Sequence, residues 1–226
     1  ERNAEGYAVV YDAERLAELI KCNNSEKIQL MADIDVSRIR KICGTFKGTI
    51  TGKHRGYNKE LNQVVDSMYT IYGGRGKGGS KDWLFDKVDG ATFDHICFKS
   101  FRVEENIVNG GELGVIAKEA VKSKFTTLVM DSISVFEDDD YAGLIAGVAY
   151  GCQFDNIIST TSDVTVDGAG VGGLVGKSSN SIYTKCFLFV NCAVYGDGKA
   201  CRAANSGGFV GESANDTFQE CVNMGI

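Results

Sequence analysis

Short apolar runs rich in Val, Ile and Phe recur along most of the chain, separated by Gly, Asn, Asp and Ser. This punctuation is typical of strands and turns, and the runs show no helical period. One run, at residues 143–146 (GLIA), has close matches at 173–176 and 208–211, a looser match at 114–117 and a weak one at 83–86. The runs begin at residues 83, 114, 143, 173 and 208, so the sequence predicts a repeat of about 30 residues.

Equivalent positions of these repeats carry similar side chains. An aromatic residue follows each start, at Phe93, Phe125, Phe154, Tyr183 and Phe218. Three residues later come Ile96, Leu128, Ile157, Cys186 and Cys221. A β-branched position recurs further on, at Val103, Val135, Val164 and Val194. A unit with about three short strands buries its apolar face only by stacking on its neighbours, at a strand spacing of ~4.8 Å.

These columns therefore predict an all-β fold, a β-solenoid with internal side-chain ladders, in which the recurring glycines form tight corners. Ankyrin-type and tetratricopeptide arrays would need two amphipathic helices in each unit, and a propeller blade needs ~40 or more residues. The sequence contains no proline, which agrees with strands paired on both edges.

The first 45 residues follow a different pattern. Asp12 is a suitable N-cap, and Ala13, Leu16 and Ile20 fall on one face of a helix that ends near Lys21. A strand over residues 28–36 is predicted next, followed by strands within 46–52 and 64–72. We therefore predict an N-terminal cap over residues 1–45, consisting of the helix and the first strand, and a β-helix over 46–226.

Part of this sequence resembles the GLUG motif of bacterial surface and secreted proteins. The likeness rests on residues 143–147 (GLIAG) and 172–176 (GGLVG), and on the order of the helix, "ADIDV" at 32–36 and "FKGTITG" at 46–52. The resemblance implies a right-handed parallel β-helix on an adhesin-like protein or ahead of an immunoglobulin A peptidase domain. It supplies no catalytic motif. Residues 53–81 depart from it, because they are longer and more basic than the usual short turn.

The net charge of −6 is concentrated in the second half of the chain. Residues 111–226 hold seven Lys and Arg against fourteen Asp and Glu, a net charge of −7, which argues against nucleic acid as a partner. Residues 38–59 are different, because they contain seven Lys and Arg, His54 and no acid. This run is either a solvated surface or a contact for an anion or an acidic glycan. The predicted ligand-binding residues are Lys53, His54, Arg55, Arg75 and Lys77.

Other candidate sites carry less weight. Trp83, Tyr57 and Tyr72 are the aromatics outside the ladder that could stack on a sugar ring. Asp94 and Asp155 occupy equivalent places two repeats apart, where we interpret them as turn-forming residues rather than a catalytic pair. Neither a metal site nor a cofactor is predicted.

The chain has eight cysteines and no C-x-x-C pair. Cys192 and Cys201 flank the insertion in the longest repeat, and we predict a disulfide between them. Cys186 and Cys221 share the internal column, where free thiols are the expected state.

Two classes of function remain open. The first is a non-catalytic module for adhesion, for a rigid stalk or for binding a glycan or a host or cell-surface protein, located at a bacterial cell surface or secreted. The second is a carbohydrate-active β-helix enzyme, a polysaccharide lyase or glycoside hydrolase. No apolar run is long enough to span a membrane. The last repeat stops before its final strand, so we expect the chain to be part of a longer protein.

Overall fold

The protein is described by a computed structural model that covers residues 1–22, 24–39, 44–74, 84–104, 111–137, 140–166, 169–194 and 205–225. Its helix, α1, spans Ala13–Cys22. The first strands, in chain order, are β1 (Ala8–Val10), β2 (Lys27–Leu30), β3 (Ile34–Asp35), β4 (Thr45–Phe46), β5 (Thr49–Thr51), β6 (Lys53–Asn58), β7 (Gln63–Tyr72) and β8 (Phe85–Asp89). The middle strands are β9 (Thr92–Lys99), β10 (Arg102–Glu104), β11 (Ala117–Val121), β12 (Lys124–Asp131), β13 (Ser134–Glu137), β14 (Tyr141–Ala142), β15 (Ala146–Tyr150), β16 (Gln153–Thr160) and β17 (Ser162–Val166). The last strands are β18 (Gly170–Gly172), β19 (Val175–Ser179), β20 (Ile182–Thr184), β21 (Phe187–Leu188), β22 (Val190–Val194), β23 (Asn205–Gly207), β24 (Val210–Ala214), β25 (Thr217–Gln219) and β26 (Val222–Asn223).

These strands stack as a parallel β-helix, which confirms the fold class predicted from the repeats. The largest sheet, here called the major sheet, has thirteen strands and follows the path β1-β2-β5-β9-β12-β16-β20-β25. The other faces are a six-stranded sheet (β24-β19-β15-β11-β8-β4), a four-stranded sheet (β10-β13-β17-β22) and a three-stranded sheet (β14-β18-β23). We call each turn of the chain through these faces a rung.

The predicted aromatic column forms one continuous stack inside the solenoid. Ring centroids are 5.6 Å apart for Phe93 and Phe125, 4.9 Å for Phe125 and Phe154, 4.6 Å for Phe154 and Tyr183 and 4.7 Å for Tyr183 and Phe218. Interplanar angles of these pairs are at most 11°. The stack arises because strands of neighbouring rungs pair in register, so equivalent side chains repeat at the strand spacing.

The corners of the solenoid are formed by columns of residues with left-handed backbone. One column has φ between 51° and 55° and comprises His95, Thr127, Asn156, Lys185 and Glu220. A second has φ between 46° and 67° and comprises Gly90, Lys122, Gly151, Asn180 and Asn215. The repeat glycines that were predicted to form tight corners have another role. A Cβ at Gly143 or Gly173 would collide with main-chain atoms of the next rung, so these positions need glycine for close approach.

The strand pairs confirm the steps from 114 to 143 and from 173 to 208 given by the glycine runs, and they correct the step from 143 to 173. Ala146 pairs with Val175, which is 29 residues later in the chain, whereas the runs that begin at residues 143 and 173 are 30 residues apart. The aromatic column predicted from the sequence has the same spacing as the strand pairs, because Phe154 pairs with Tyr183. In the β-branched column Val164 pairs with Cys192 rather than with Val194, since the corner before β22 is one residue shorter than the corner before β17.

The N-terminal segment adds a layer to the solenoid. Asp12 Oδ1 accepts a hydrogen bond of 2.8 Å from the Arg15 amide, which confirms the predicted N-cap. Leu16 and Ile20 of α1 are buried in the core. β1 pairs with β2 and β2 with β5, so the major sheet continues into the region predicted as a cap. The single strand predicted over 28–36 is wrong, because residues 31–33 separate β2 from β3, which pairs with β7 instead.

Residues 53–68 form a hairpin that is inserted into one rung. β6 pairs antiparallel with the first half of β7, and the second half of β7 returns to the major sheet beside β9. The Tyr69 amide donates a 3.0 Å hydrogen bond to the Gly52 carbonyl and closes the base of the hairpin. Lys53, His54 and Arg55 therefore lie on a strand of this hairpin.

Candidate functional site

A groove of about 720 Å³ lies on the outer face of the major sheet, near its N-terminal end. Every residue of its lining has a polar group in its side chain. We call it the N-terminal groove, defined by Asn3, Glu5, Tyr7, Gln29, Thr49, Thr51, Lys53, His54, Arg55, Asp66, Thr92, Asp94 and Thr126. This volume is within the usual range for small-ligand sites.

The floor of the groove consists of outward-facing side chains on successive rungs. Thr51 pairs with Asp94 and Asp94 with Thr126, so hydroxyl and carboxylate groups follow one another along the solenoid axis. The residue between two floor positions of each strand points inward, as Phe93 does between Thr92 and Asp94. The alternation of β-strands therefore separates a polar floor from the aromatic stack beneath it.

Asp94 is the best-connected acid of the floor. Its Oδ1 atom accepts a hydrogen bond of 3.1 Å from the Thr126 hydroxyl and lies 2.8 Å from His95 Nδ1. Its Oδ2 atom accepts a 3.1 Å hydrogen bond from the Thr51 hydroxyl. Asp94 and Asp155 lie on β9 and β16, and each directly precedes a left-handed corner residue, His95 or Asn156. The strand pairs confirm that they occupy equivalent positions two rungs apart, with Thr126 between them.

The inserted hairpin supplies the charged wall of the groove. Lys53 Nζ lies 3.0 Å from Asp66 Oδ2, and this ion pair holds the pKa of Asp66 below its ordinary value. The His54 ring stacks on Tyr69 with centroids 4.0 Å apart and an interplanar angle of 23°. Gln29 Nε2 donates a 2.8 Å hydrogen bond to the Lys53 carbonyl, which fixes the hairpin to the major sheet.

The N-terminal segment supplies the remaining wall, with Asn3, Glu5 and Tyr7. Asn3 Oδ1 accepts hydrogen bonds of 3.0 Å and 2.9 Å from the Glu5 and Tyr7 amides and so folds this segment into a turn. Arg2 anchors the turn through two hydrogen bonds to the Glu26 carboxylate, of 2.8 Å and 3.0 Å. The bonds to Glu26 raise the pKa of the Arg2 guanidinium.

Three of the five predicted ligand-binding residues line this groove, namely Lys53, His54 and Arg55. Arg75 and Lys77 lie outside the described residues, as do Trp83 and Cys201, so the predicted Cys192–Cys201 disulfide stays a prediction. Tyr57 and Tyr72 are exposed on β6 and β7. Sequence reasoning missed Asn3, Glu5, Tyr7 and Asp66. The signal available for Asp66 was its place in the antiparallel hairpin, opposite Arg55.

Comparison with known proteins identifies a similar fold but no family. No family model matches the chain, and no curated protein matches it. Among solved structures, the chain is similar to a protein of Bacteroides ovatus described as a "putative immunoglobulin A1 protease", with a TM-score of 0.57 and 13% sequence identity. The likeness covers 98% of this chain and 76% of the other. It is a likeness of fold.

Two further observations limit the chemistry of the described residues. Over the ranges that the structure describes, no helix has the length and apolar content needed to cross a bilayer. Within the same ranges, no three His, Cys, Asp or Glu side chains are grouped as a metal site requires. The side chains that line the groove offer hydrogen-bonding groups, charge and aromatic surface.

Proposed function

We propose that this protein is a non-catalytic glycan-binding module of a bacterial cell-surface or secreted protein, and that the N-terminal groove is its binding site. The observation that carries the proposal is the composition of the groove lining. Hydroxyl, amide, carboxylate and cationic groups lie side by side over a strip of several rungs. A sugar presents hydroxyl groups that both donate and accept, so a lining with both kinds of partner suits it.

Aromatic surface supports the same ligand class. Tyr7 lies in the lining at one wall, and His54 is held against Tyr69 at the other. A stacked ring is fixed in place before a ligand arrives, which lowers the entropy lost on binding. Sugar rings present apolar C–H faces as well as hydroxyl edges, and flat side chains complement these faces.

The hydrogen bonds of Asp94 favour binding over catalysis. Both of its oxygens already accept from neighbouring side chains, and the Asp66 carboxylate pairs with Lys53. A general acid or base must be able to exchange a proton with the substrate. Carboxylates engaged in this way better serve to orient Thr51, Thr126 and Lys53 as hydrogen-bonding groups.

The ladder architecture supports a second part of the proposal, a role as a rigid spacer. Each rung pairs with the next through several sheets and through the aromatic stack. Solenoids of this kind extend by ~4.8 Å per rung and resist bending because every layer packs on the next. A rigid rod with a groove near one end suits display at a cell surface.

One observation favours the enzyme alternative, namely that Asp94 and His95 lie 2.8 Å apart beside the groove. Glu5 and Asp66 also line the groove, so three carboxylates are present in its lining. Hydrolysis of a polysaccharide would require two of these carboxylates to flank a glycosidic bond. This alternative is tested separately from binding.

The binding test is a glycan array screen with the purified chain, followed by titration of the best ligand. We expect Lys53→Ala combined with Arg55→Ala to weaken binding by about tenfold or more, since charge-assisted hydrogen bonds are lost. The matched control is Arg15→Ala combined with Lys21→Ala, which removes the same charge from α1 and should bind as the wild type does. Equal losses in both variants, or no glycan bound by the wild type, would refute the proposal.

The enzyme test measures release of new reducing ends or unsaturated products from the bound polysaccharide. We expect none. If turnover is found and Asp94→Asn abolishes it while Asp155→Asn does not, the protein is an enzyme. Asp155 is the suitable control because it occupies the equivalent position two rungs away.

A further inference from the structure

Cys186 and Cys221 face each other across the last two rungs. On one side of them Tyr183 pairs with Phe218, and on the other Phe187 pairs with Val222. The Val222 amide donates a 2.8 Å hydrogen bond to the Cys186 carbonyl, so the two main chains are joined at this position. Both side chains continue the column that Ile157 occupies in the preceding rung.

The two thiols are close enough to influence each other. The pKa of Cys186 is raised to about 12, first by burial and then by the neighbouring Cys221. Cys186 is fully buried, whereas Cys221 is half-buried at the end of the solenoid. The Cys221 sulfur lies 3.4 Å from the Tyr183 carbonyl oxygen, which belongs to the rung of Cys186.

We propose that Cys186 and Cys221 form a redox site whose oxidised state is a disulfide between adjacent rungs, made by exchange with a small disulfide such as glutathione disulfide. Residues in register on neighbouring strands have Cα atoms ~4.8 Å apart, within the 4.4–6.8 Å range of disulfides. Their Cβ atoms start a few tenths of an ångström beyond the usual ~3.5–4.5 Å. A shift of a few tenths of an ångström between the two paired strands closes this difference.

The exchange proceeds in two balanced steps. The more accessible Cys221 thiolate attacks one sulfur of the glutathione disulfide and expels a glutathione thiolate, which leaves a mixed disulfide on Cys221. Cys186 then loses its proton, attacks the Cys221 sulfur and releases the second glutathione. The two protein thiols lose two electrons and two protons in total, and one glutathione disulfide becomes two glutathione thiols.

Other cysteines of the described chain lack this arrangement. Cys97 pairs with Val129 and Thr70 in the flanking strands, so a thiol has no cysteine partner in register there. Cys192 pairs with Val164 in the preceding rung. Among the described strands, two cysteines therefore lie in register only in the last two rungs.

The test equilibrates the full chain with glutathione disulfide, blocks remaining thiols and digests it with trypsin without reduction. Cleavage after Lys185, Lys199 and Arg202 separates residues 186–199, 200–202 and 203–226. A Cys186–Cys221 bond joins fragments 186–199 and 203–226, whereas a Cys192–Cys201 bond joins 186–199 to 200–202. We expect the first product, and a loss of two thiols by titration in Cys192→Ser, which removes the other candidate in fragment 186–199.

Variants on the pair and beside it decide the assignment. Cys221→Ser should abolish the cross-linked product, and Cys97→Ser should leave it unchanged. Formation should speed up as the pH rises, since the second step needs the Cys186 thiolate. Absence of the product from the folded wild type, or its persistence in Cys221→Ser, would overturn the proposal.

A second readout reports on the rung itself. The amides of Val222 and Met224 donate to the carbonyls of Cys186 and Leu188 at 2.8 Å. In the oxidised protein their hydrogen exchange should slow by about tenfold, because the bond restricts local opening of the last rung. Equal exchange rates in the oxidised and reduced proteins would show that the bond does not clamp this rung.

Discussion

The two ends of the described solenoid expose similar side chains to different degrees. At the N-terminal end β1 and α1 cover the first rungs, and Val10, Leu16 and Ile20 are at most 5% exposed. At the C-terminal end Phe218 is 42% exposed and Met224 is 58% exposed. Phe154, which belongs to the same column as Phe218, is 1% exposed. The free energy that a residue of the column contributes to folding therefore depends mainly on whether rungs pack on both sides of it, and much less on its residue type.

The largest expected effect compares two rings of the aromatic stack. Phe125→Ala should lower the free energy of unfolding by about 4 kcal/mol, because it leaves a buried cavity between two rings. Phe218→Ala should cost roughly 1.5 kcal/mol, because that ring stacks on one side only and is partly in water. Chemical denaturation measures both. Similar losses for the two variants would show that the last rung is as well packed as the middle.

The next comparison sets the two ends against each other directly. Leu16→Ala removes a buried side chain of α1 and should cost about 3 kcal/mol. Met224→Ala removes an exposed side chain of the last rung and should change the free energy of unfolding by less than ~0.5 kcal/mol. Thermal unfolding of the pair tests the contrast. A large loss for Met224→Ala would mean that this end is covered in solution.

A smaller effect concerns an acid that joins three rungs. Asp131 accepts a 2.6 Å hydrogen bond from the Thr160 hydroxyl and lies 3.0 Å from Lys99 Nζ. These contacts, the hydroxyl of Thr160 first, hold the pKa of Asp131 below its ordinary value of 3.8. The stabilisation is therefore complete above pH 3.8 and is lost as the pH falls through the lower pKa of the folded state.

Asp131→Asn should thus cost roughly 1 kcal/mol at pH 6 and less at pH 2, because lowering the pH shifts the wild-type acid toward its neutral form. Midpoints of thermal unfolding at the two pH values provide the measurement, with Asp155→Asn as the control on a neighbouring column. A cost that does not change with pH would assign the effect of Asp131 to packing.

The smallest effect concerns the corner column. Thr127 has a φ of 52°, a conformation that β-branched residues rarely adopt, whereas Asn156 in the next rung has a φ of 55°. Thr127→Asn should therefore stabilise the protein by about 0.5 kcal/mol through relief of backbone strain. Lys122→Asn is a comparison at another corner, with a smaller gain because lysine is not β-branched. Destabilisation of Thr127→Asn would mean that the threonine methyl group contributes packing at this corner.

Much of the fold could be predicted from sequence because the aromatic column repeats at the spacing of the rungs. Large rings stacked inside a solenoid cannot slip without opening cavities, so their spacing reports the true register. The glycine runs gave the correct register from 114 to 143 and from 173 to 208, and a register wrong by one residue from 143 to 173. Several small residues in succession can each meet the neighbouring backbone, so they define the register less sharply. The strand predicted over 28–36 is split because β2 pairs with β5 before the hairpin, whereas β3 pairs with the second half of β7 after it.

The groove was only partly predictable for a similar reason. A cluster of basic residues drew attention to Lys53, His54 and Arg55, but their neighbours come from distant parts of the chain. Tyr7 reaches the site through a turn held by Asn3, and Asp66 arrives because the hairpin is antiparallel. Local sequence patterns do not report contacts between distant parts of the chain. The place of Asp94 in the groove was missed because its hydrogen bonds to Thr51 and Thr126 are made across rungs.

The hydrogen bond that closes the base of the hairpin makes this rung a suitable place to insert other hairpins. Thr51 and Tyr69 pair with Asp94 and Ile96 of the next rung, so Gly52 and the sixteen inserted residues 53–68 stand where that rung has the single corner residue His95. The ladder continues past the insertion because the Gly52 amide still bonds to the Asp94 carbonyl at 3.0 Å. Foreign hairpins grafted between Gly52 and Tyr69 should leave the stacked core intact. The ligand that the protein recognises could then be changed without redesigning the solenoid.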